Sequence, residues 1–270
     1  MDQAGMDIEM DMRKRLASCQ KVLIGLGGEW KLKSPAAADG NQDGAESAAQ
    51  RKKLLDAYEA LYELVKDKDY FIVTMATDAL IYESSLGSRT ETAEDSDQEA
   101  EEAISCSVTD ENTMALMDKI FPKAQKTADT RWQRIVAPCG NETWRQCSAA
   151  CTRDIWEPGE IPEDICPHCG APLTGNTMDA DVYIEEGYLP QWNRYTRWLT
   201  GTLGRDLVIL ELGVGFASPG VIRFPFEKTA FFNQKSILYR VNEKFPQITQ
   251  ELSGRAEGIG ENSVLWVTKL

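Results

Sequence analysis

The chain has 270 residues, 42% of them apolar, with seven Trp, eight Tyr and eight Phe, enough for one large domain carrying a smaller module. Its formal charge of −14 argues against unspecific attraction to nucleic acid or an anionic membrane, since both would be repelled. No run reaches the ~18 apolar residues of a membrane span, and the opening MDQAGMDIEMDMRKRL lacks the apolar stretch of a secretory signal.

In chain order, Lys21 to Leu26 (KVLIGL) reads as a short strand that ends in glycines. Ser34 to Gln50 is small, polar and without periodicity, and reads as a flexible insertion. Lys52 to Lys66 carries Leu54, Tyr58, Leu61 and Val65 at helical spacing. Tyr70 to Thr74 (YFIVT) is again β-rich, and a second insertion covers Ser84 to about Asn112. Seven of its twelve residues from Glu91 to Glu102 are acidic, the pattern of a solvated loop. Met114 to Ile120 reads as helix and Arg131 to Ala137 as extended chain. After a cysteine-rich region come a helix over Leu189 to Leu199, a strand over Asp206 to Leu212 leading into Gly213-Val214-Gly215, and a strand over Ser236 to Val241 ending at Asn242. A short run near Glu257 and a helix from about Asn262 close the chain.

Continuously apolar strands alternating with helices predict an α/β fold: a Rossmann-like parallel sheet covered on both faces. Residues 1–137 and 178–270 would form it, with residues 138–177 as an inserted four-cysteine zinc ribbon. Ligands of such sheets bind at the carboxyl ends of the strands. Those ends carry Gly25 to Gly28, Thr74 to Asp78, Gly213 to Gly215 and Asn242, a nucleotide-site layout. Glu29 and Trp30, next to the first turn, either line the ligand cleft or pack.

The cysteine spacing is Cys147-x3-Cys151, fourteen residues, then Cys166-x2-Cys169. Two short knuckles supply two thiolates each, which is what tetrahedral zinc requires. A second pair at zinc-ribbon distance argues against a redox Cys-x-x-Cys. Four thiolates leave no open coordination position, so the expected metal is structural. Seven cysteines, an odd number, suit metal binding in a reducing compartment better than a disulfide framework, and a cytoplasmic protein is expected. His168, between two of the expected ligands, is the only histidine, which argues against histidine-dependent triads and histidine metal sites.

Taken in order, these segments resemble the sirtuins: a glycine turn, a Thr-x-x-x-Asp strand end, a four-cysteine module, a strand with Gly-x-Gly and a strand ending Val-Asn. The resemblance runs from about Lys21 to the C-terminus, interrupted by the two insertions. It implies that Gly25 and Gly27 hold the diphosphate of NAD, that Gly213 matches the glycine of a later Gly-Thr-Ser motif, and that Asn242 contacts the adenosine ribose. It also implies NAD or ADP-ribose as ligand, zinc as structural cofactor, and a protein substrate or partner.

The sequence departs from that family where the chemistry lies. The family's Gln-Asn-Val-Asp is matched by Met75-Ala76-Thr77-Asp78, so the aspartate stays and the asparagine is alanine. The catalytic histidine before a glycine is matched by Cys139-Gly140. The Pro-Asp-Phe-Arg segment after the glycine turn and the Phe-Gly-Glu loop beside the zinc module have no counterpart. Cys139 is either a thiolate base or acceptor, or a small buried filler. Asp78 either contacts nicotinamide or caps the following helix. The expectation is a zinc-containing, sirtuin-like protein that binds NAD or ADP-ribose with its deacylation residues substituted. A non-catalytic interaction module, or a deacylase or ADP-ribosyltransferase using Cys139, are the alternatives.

Overall fold

The apolar runs become strands buried along their whole length, as strands covered on both faces must be. The computed structural model describes residues 3–32, 43–88 and 134–270. The elements are α1 (Gln3–Ser18), β1 (Lys21–Leu26), α2 (Asp43–Val65), β2 (Asp69–Thr74), α3 (Ser85–Ser88), β3 (Ile135–Val136), β4 (Gly140–Cys147), β5 (Ile155–Trp156), β6 (Leu173–Thr177), α4 (Leu189–Thr200), β7 (Leu207–Leu212), α5 (Arg223–Phe232), β8 (Ser236–Val241), β9 (Ala256–Ile259) and α6 (Ser263–Lys269). Among the described residues no helix is long and apolar enough to cross a membrane.

Six strands form one parallel sheet in the order β3-β2-β1-β7-β8-β9. From β1 the chain steps outward through β2 to β3, and from β7 it steps the other way through β8 to β9. The order therefore reverses between β1 and β7, and connections leaving in opposite directions open a crevice at that point. The alternation of side chains sorts the core into two layers. Val22, Ile24, Leu26, Tyr70 and Leu210 pack with Met12, Leu54, Tyr58, Leu61 and Trp266 of α1, α2 and α6. Leu23, Phe71, Val73, Ile209 and Leu238 face Tyr195, Trp198, Ile222, Phe226 and Ala230 of the α4 and α5 side. At the amino end of the sheet, Asp69 ties Lys21, Arg134 and Trp198 together.

A separate three-stranded antiparallel sheet, β5-β4-β6, carries the cysteines. The fold is thus α/β, with a parallel sheet and an inserted four-cysteine module.

Several expectations change. Asp43 to Gln50 belongs to α2 rather than to a flexible insertion. DGAESAAQ is rich in helix-favouring residues, and extending a helix already anchored by Leu54 and Tyr58 is easier than nucleating one. Ser85–Ser88, inside the second expected insertion, forms one helical turn. The expected helix at Met114 to Ile120 lies outside the described residues. Helices α1 and α5 went unanticipated: α1 buries chiefly Met12 and Leu16, while α5 is apolar on its exposed side as well, with Phe224, Phe231 and Phe232 exposed. Neither presents a clean 3.6-residue stripe.

Candidate functional site

Two regions concentrate the chemistry, the cysteine cluster and the carboxyl ends of the parallel strands. In the first, β4 delivers Cys147, the turn after it Cys151, and the loop before β6 Cys166 and Cys169. The four sulfurs lie within 4.8 Å of one another. Cys147 to Cys151 is 3.6 Å, and Cys147 to Cys169 and Cys151 to Cys166 are each 3.5 Å. A zinc with four bonds of about 2.3 Å requires sulfur–sulfur edges of about 3.8 Å. The donor set and spacing fit tetrahedral zinc. The knuckles close by backbone bonds, Ala150 N–H to Cys147 O and Gly170 N–H to Cys166 O, each 2.9 Å. His168 turns away from the sulfurs: its Nε2 lies 2.8 Å from Asp154 Oδ2 and its ring stacks on Trp156.

At the strand ends Gly25, Gly27 and Gly213 are demanded by their neighbours. A Cβ on Gly25 would lie 2.5 Å from Ile222 Cγ2 and 2.7 Å from the Phe226 ring, so this residue lets α5 approach the sheet. A Cβ on Gly27 would strike Gly213 O and come within 2.5 Å of Val214 Cα. Gly27 N–H also donates to Leu212 O at 2.8 Å, so the loops after β1 and β7 touch backbone to backbone at the switch point. Gly213 has φ of 66°, and a Cβ there would lie 2.6 Å from Glu29 Cβ. Gly28 has open space.

Asp78 uses both oxygens locally. Oδ1 accepts from Leu80 N–H at 3.0 Å and Oδ2 from Leu32 N–H at 2.6 Å. It starts the 3-10 turn Leu80–Glu83 and pins the chain after the glycine turn. Asn242 is buried, and its Oδ1 accepts from Lys244 and Phe245 N–H at 2.9 and 2.8 Å, the Asx turn that shapes the loop after β8. Cys139 is buried just past β3, and burial pushes its thiol pKa up, with Lys31 lowering it and Asp179 raising it. Ala76 is buried with its N–H on Thr74 Oγ1. Between these residues Thr77 Oγ1 donates to Glu142 Oε1 at 2.5 Å, joining the loop after β2 to β4.

The structure gives Glu29, expected either to line the cleft or to pack, a definite place, and adds a buried charge network that sequence reasoning did not reach. Glu29 lies across the crevice. Its Oε2 accepts from Ser263 N–H at 2.6 Å and Ser263 Oγ at 2.7 Å, and its Oε1 from Glu243 N–H at 3.1 Å. Beneath the β7 and β8 loops, Glu211 and Arg240 form a fully buried two-pronged pair at 2.7 and 2.9 Å, with Glu227 on the same guanidinium. Arg223 donates to Val214, Phe245 and Gln247 carbonyls. A signal for the pair existed: one acid in LVILEL and one base in SILYRV, each in an otherwise largely apolar strand. Two surface grooves lie elsewhere, one of ≈ 650 Å³ beside Leu203, Phe224 and Phe232 and one of ≈ 510 Å³ beside Lys52 and Thr268.

No family model matches the chain. A protein ADP-ribosyltransferase of Staphylococcus aureus (strain Mu50 / ATCC 700699) is 27% identical over 105 residues, 38% of this chain and 33% of that protein. A probable bifunctional ADP-ribose hydrolase/ADP-ribosyltransferase of Fusarium oxysporum f. sp. cubense is 32% identical over 78 residues, 28% of this chain and 13% of that one. The chain therefore matches about a third or less of the length of these curated relatives. Among solved structures it is similar to a Sir2 homologue in complex with NAD, with TM-score 0.49, 12% identity, and coverage of 96% of this chain and 91% of that one. A mutant Sir2 homologue with ADP-ribose has TM-score 0.48, 13% identity, and coverage of 100% and 94%.

Proposed function

We propose that this chain is a sirtuin-like, zinc-containing protein that binds NAD or ADP-ribose at the carboxyl ends of its parallel sheet, with the residues of protein deacylation substituted. The observation that carries the reading is the switch point itself. There Gly27 and Gly213 bring two loops together without side chains, and Asn242 ends the next strand. A flexible dinucleotide laid over such a crevice meets backbone amides and short polar side chains. Names among the relatives, an ADP-ribosyltransferase and a probable ADP-ribose hydrolase/ADP-ribosyltransferase, point to the same ligand class. In this reading Gly25 acts indirectly by seating α5, Gly27 and Gly213 shape the diphosphate side, and Asn242 shapes the ribose side. Zinc in the four thiolates is structural.

Binding is tested by thermal shift. A ligand at 100 times its Kd stabilises by about 2.7 kcal/mol, which for a domain of this size is a rise of roughly 5–11 °C. NAD and ADP-ribose at millimolar concentration are expected to raise Tm. Gly28→Val, which has room for its side chain in the free protein, is expected to abolish the rise without lowering the unliganded Tm. Gly27→Val is a poor probe, because its Cβ would collide with the backbone at Gly213. Absence of a shift would overturn this reading in favour of a second one.

That second reading is an interaction module with a closed pocket. Glu29 lying across the switch point, bonded to Glu243 and Ser263, is the observation that favours it.

On catalysis, NAD-dependent deacylation requires the acyl oxygen aimed at the ribose carbon, a polar group to hold the departing nicotinamide amide, and a base to remove a ribose proton. Ala76 offers no polar group. Burial raises the Cys139 thiol pKa and so disfavours its thiolate, and both Asp78 oxygens are engaged by amides. General-base assistance is worth about 10²–10⁴-fold. Nicotinamide release with acyl-lysine peptides is therefore expected to stay near background, and Cys139→His alone is not expected to restore it. Robust turnover that disappears in Cys139→Ala would make the thiol a working catalyst and overturn this view.

A further inference from the structure

We infer that Glu29 is a latch on the crevice: its carboxylate occupies the donors that an anionic nucleotide would meet there, and its displacement sets the affinity of the site. The inference rests on the nucleotide-binding reading above and names how that same site is controlled. Three observations carry it.

The first is placement. Glu29 follows the glycine turn of β1 and lies against Gly213 on the far side of the switch point, so close that a Cβ on Gly213 would lie 2.6 Å from Glu29 Cβ. The second is its set of partners. The carboxylate takes the Ser263 N–H, the Ser263 hydroxyl and the Glu243 N–H, and so bridges the loop after β8 to the start of α6. These donors come from two different crossings of the sheet, and one anionic side chain satisfies all three. The third is the mechanical setting. Trp30, the next residue, is fully buried against Tyr58 with its indole N–H on Ser263 Oγ at 3.0 Å, which holds the backbone in place. On the other side Gly28 is open. The carboxylate can therefore swing out through its own side-chain torsions without the loop unfolding.

A diphosphate entering beside β1 and β7 meets a carboxylate of its own sign. It must either bind against that repulsion or displace Glu29 and take over the released donors. Either course lowers the affinity of the resting protein for anions and leaves an uncharged ligand much less affected.

Calorimetry with ADP-ribose, NAD and adenosine on the full chain tests this, alongside hydrogen exchange without nucleotide. Glu29→Gln removes the charge and leaves one accepting oxygen, and Glu29→Ala removes the contact altogether. Both variants are expected to bind ADP-ribose and NAD at least about tenfold more tightly than the parent, with adenosine changed far less. In both, the Glu243 and Ser263 amides are expected to exchange faster than in the parent. Equal or weaker ADP-ribose binding by both variants, with the parent binding well, overturns the latch and leaves the nucleotide reading standing. Faster exchange with no nucleotide bound by any form overturns the nucleotide reading and upholds Glu29 as the contact that closes the crevice. Unchanged exchange at both amides overturns the latch whatever the calorimetry gives.

Discussion

Cys166→Ser is expected to unfold the β4–β6 module and to abolish metal binding, and the parent is expected to carry about one zinc per chain. The apolar core of the module is small. Its buried cluster consists of Cys147, Trp156 and Cys166, with the partly buried Ile161, Ala171 and Leu173 packed against it. Two of those three core residues belong to the four-cysteine cluster itself. In structural sites of this kind metal binding is worth about 10–16 kcal/mol and serves directly as folding free energy. A strong chelator should therefore reproduce the variant, lowering Tm and exposing Trp156 to solvent, and zinc should reverse the change in the parent alone. His168→Ala is the control: its ring is turned to Asp154 and Trp156, so zinc content should be unchanged. Metal analysis with thermal melts decides the matter. A metal-free protein of unchanged Tm would refute the zinc assignment.

Arg240→Met should be strongly damaging, at a place far from the cysteine cluster in sequence. Glu211 and Arg240 sit side by side on β7 and β8, both fully buried, with Arg223 and Glu227 completing the group from α5. Burial pushes the Glu211 carboxyl pKa up, with the hydrogen bonds and charge of Arg240 pulling against it. Without Arg240 the carboxylate keeps its desolvation and loses its principal partner. Breaking one side of a buried pair costs about 3–5 kcal/mol, or roughly 6–20 °C in Tm for a domain of this size. Because the pKa of Glu211 is then raised further, the native state holds its proton to higher pH than the unfolded chain. The deficit is therefore greatest near neutrality and narrows as pH falls toward the unfolded carboxylate range. The double variant Glu211→Leu, Arg240→Met should lose less than the sum of the singles, since no unpaired charge remains. Single variants within about 1 kcal/mol of the parent in urea melts would refute this account. The same network bears on the crevice: Arg240 and Arg223 both donate to Gln247 O, and Arg223 also holds Val214 O and Phe245 O. Loops following β7 and β8 are thereby fixed from beneath by two guanidiniums.

What the sequence by itself determined is what local spacing encodes. The four cysteines announce themselves because two knuckles need only short intervals to aim thiolates inward, and the sulfurs do converge. Strands β1, β2, β7 and β8 were legible because a strand covered on both faces is apolar at nearly every position. The α2 stripe was legible for the corresponding helical reason. Only the tertiary structure decided what those elements do to one another. It placed β1 beside β7, and so the crevice between loops far apart in the chain. It gave Gly25 to the packing of α5 rather than to an open turn, and both oxygens of Asp78 to neighbouring amides. It brought Glu29 to Ser263, 234 residues away, and paired Glu211 with Arg240 across two strands. Contacts of that range are set by strand order and register, which depend on the packing of the whole sheet and leave no mark in the spacing of nearby residues.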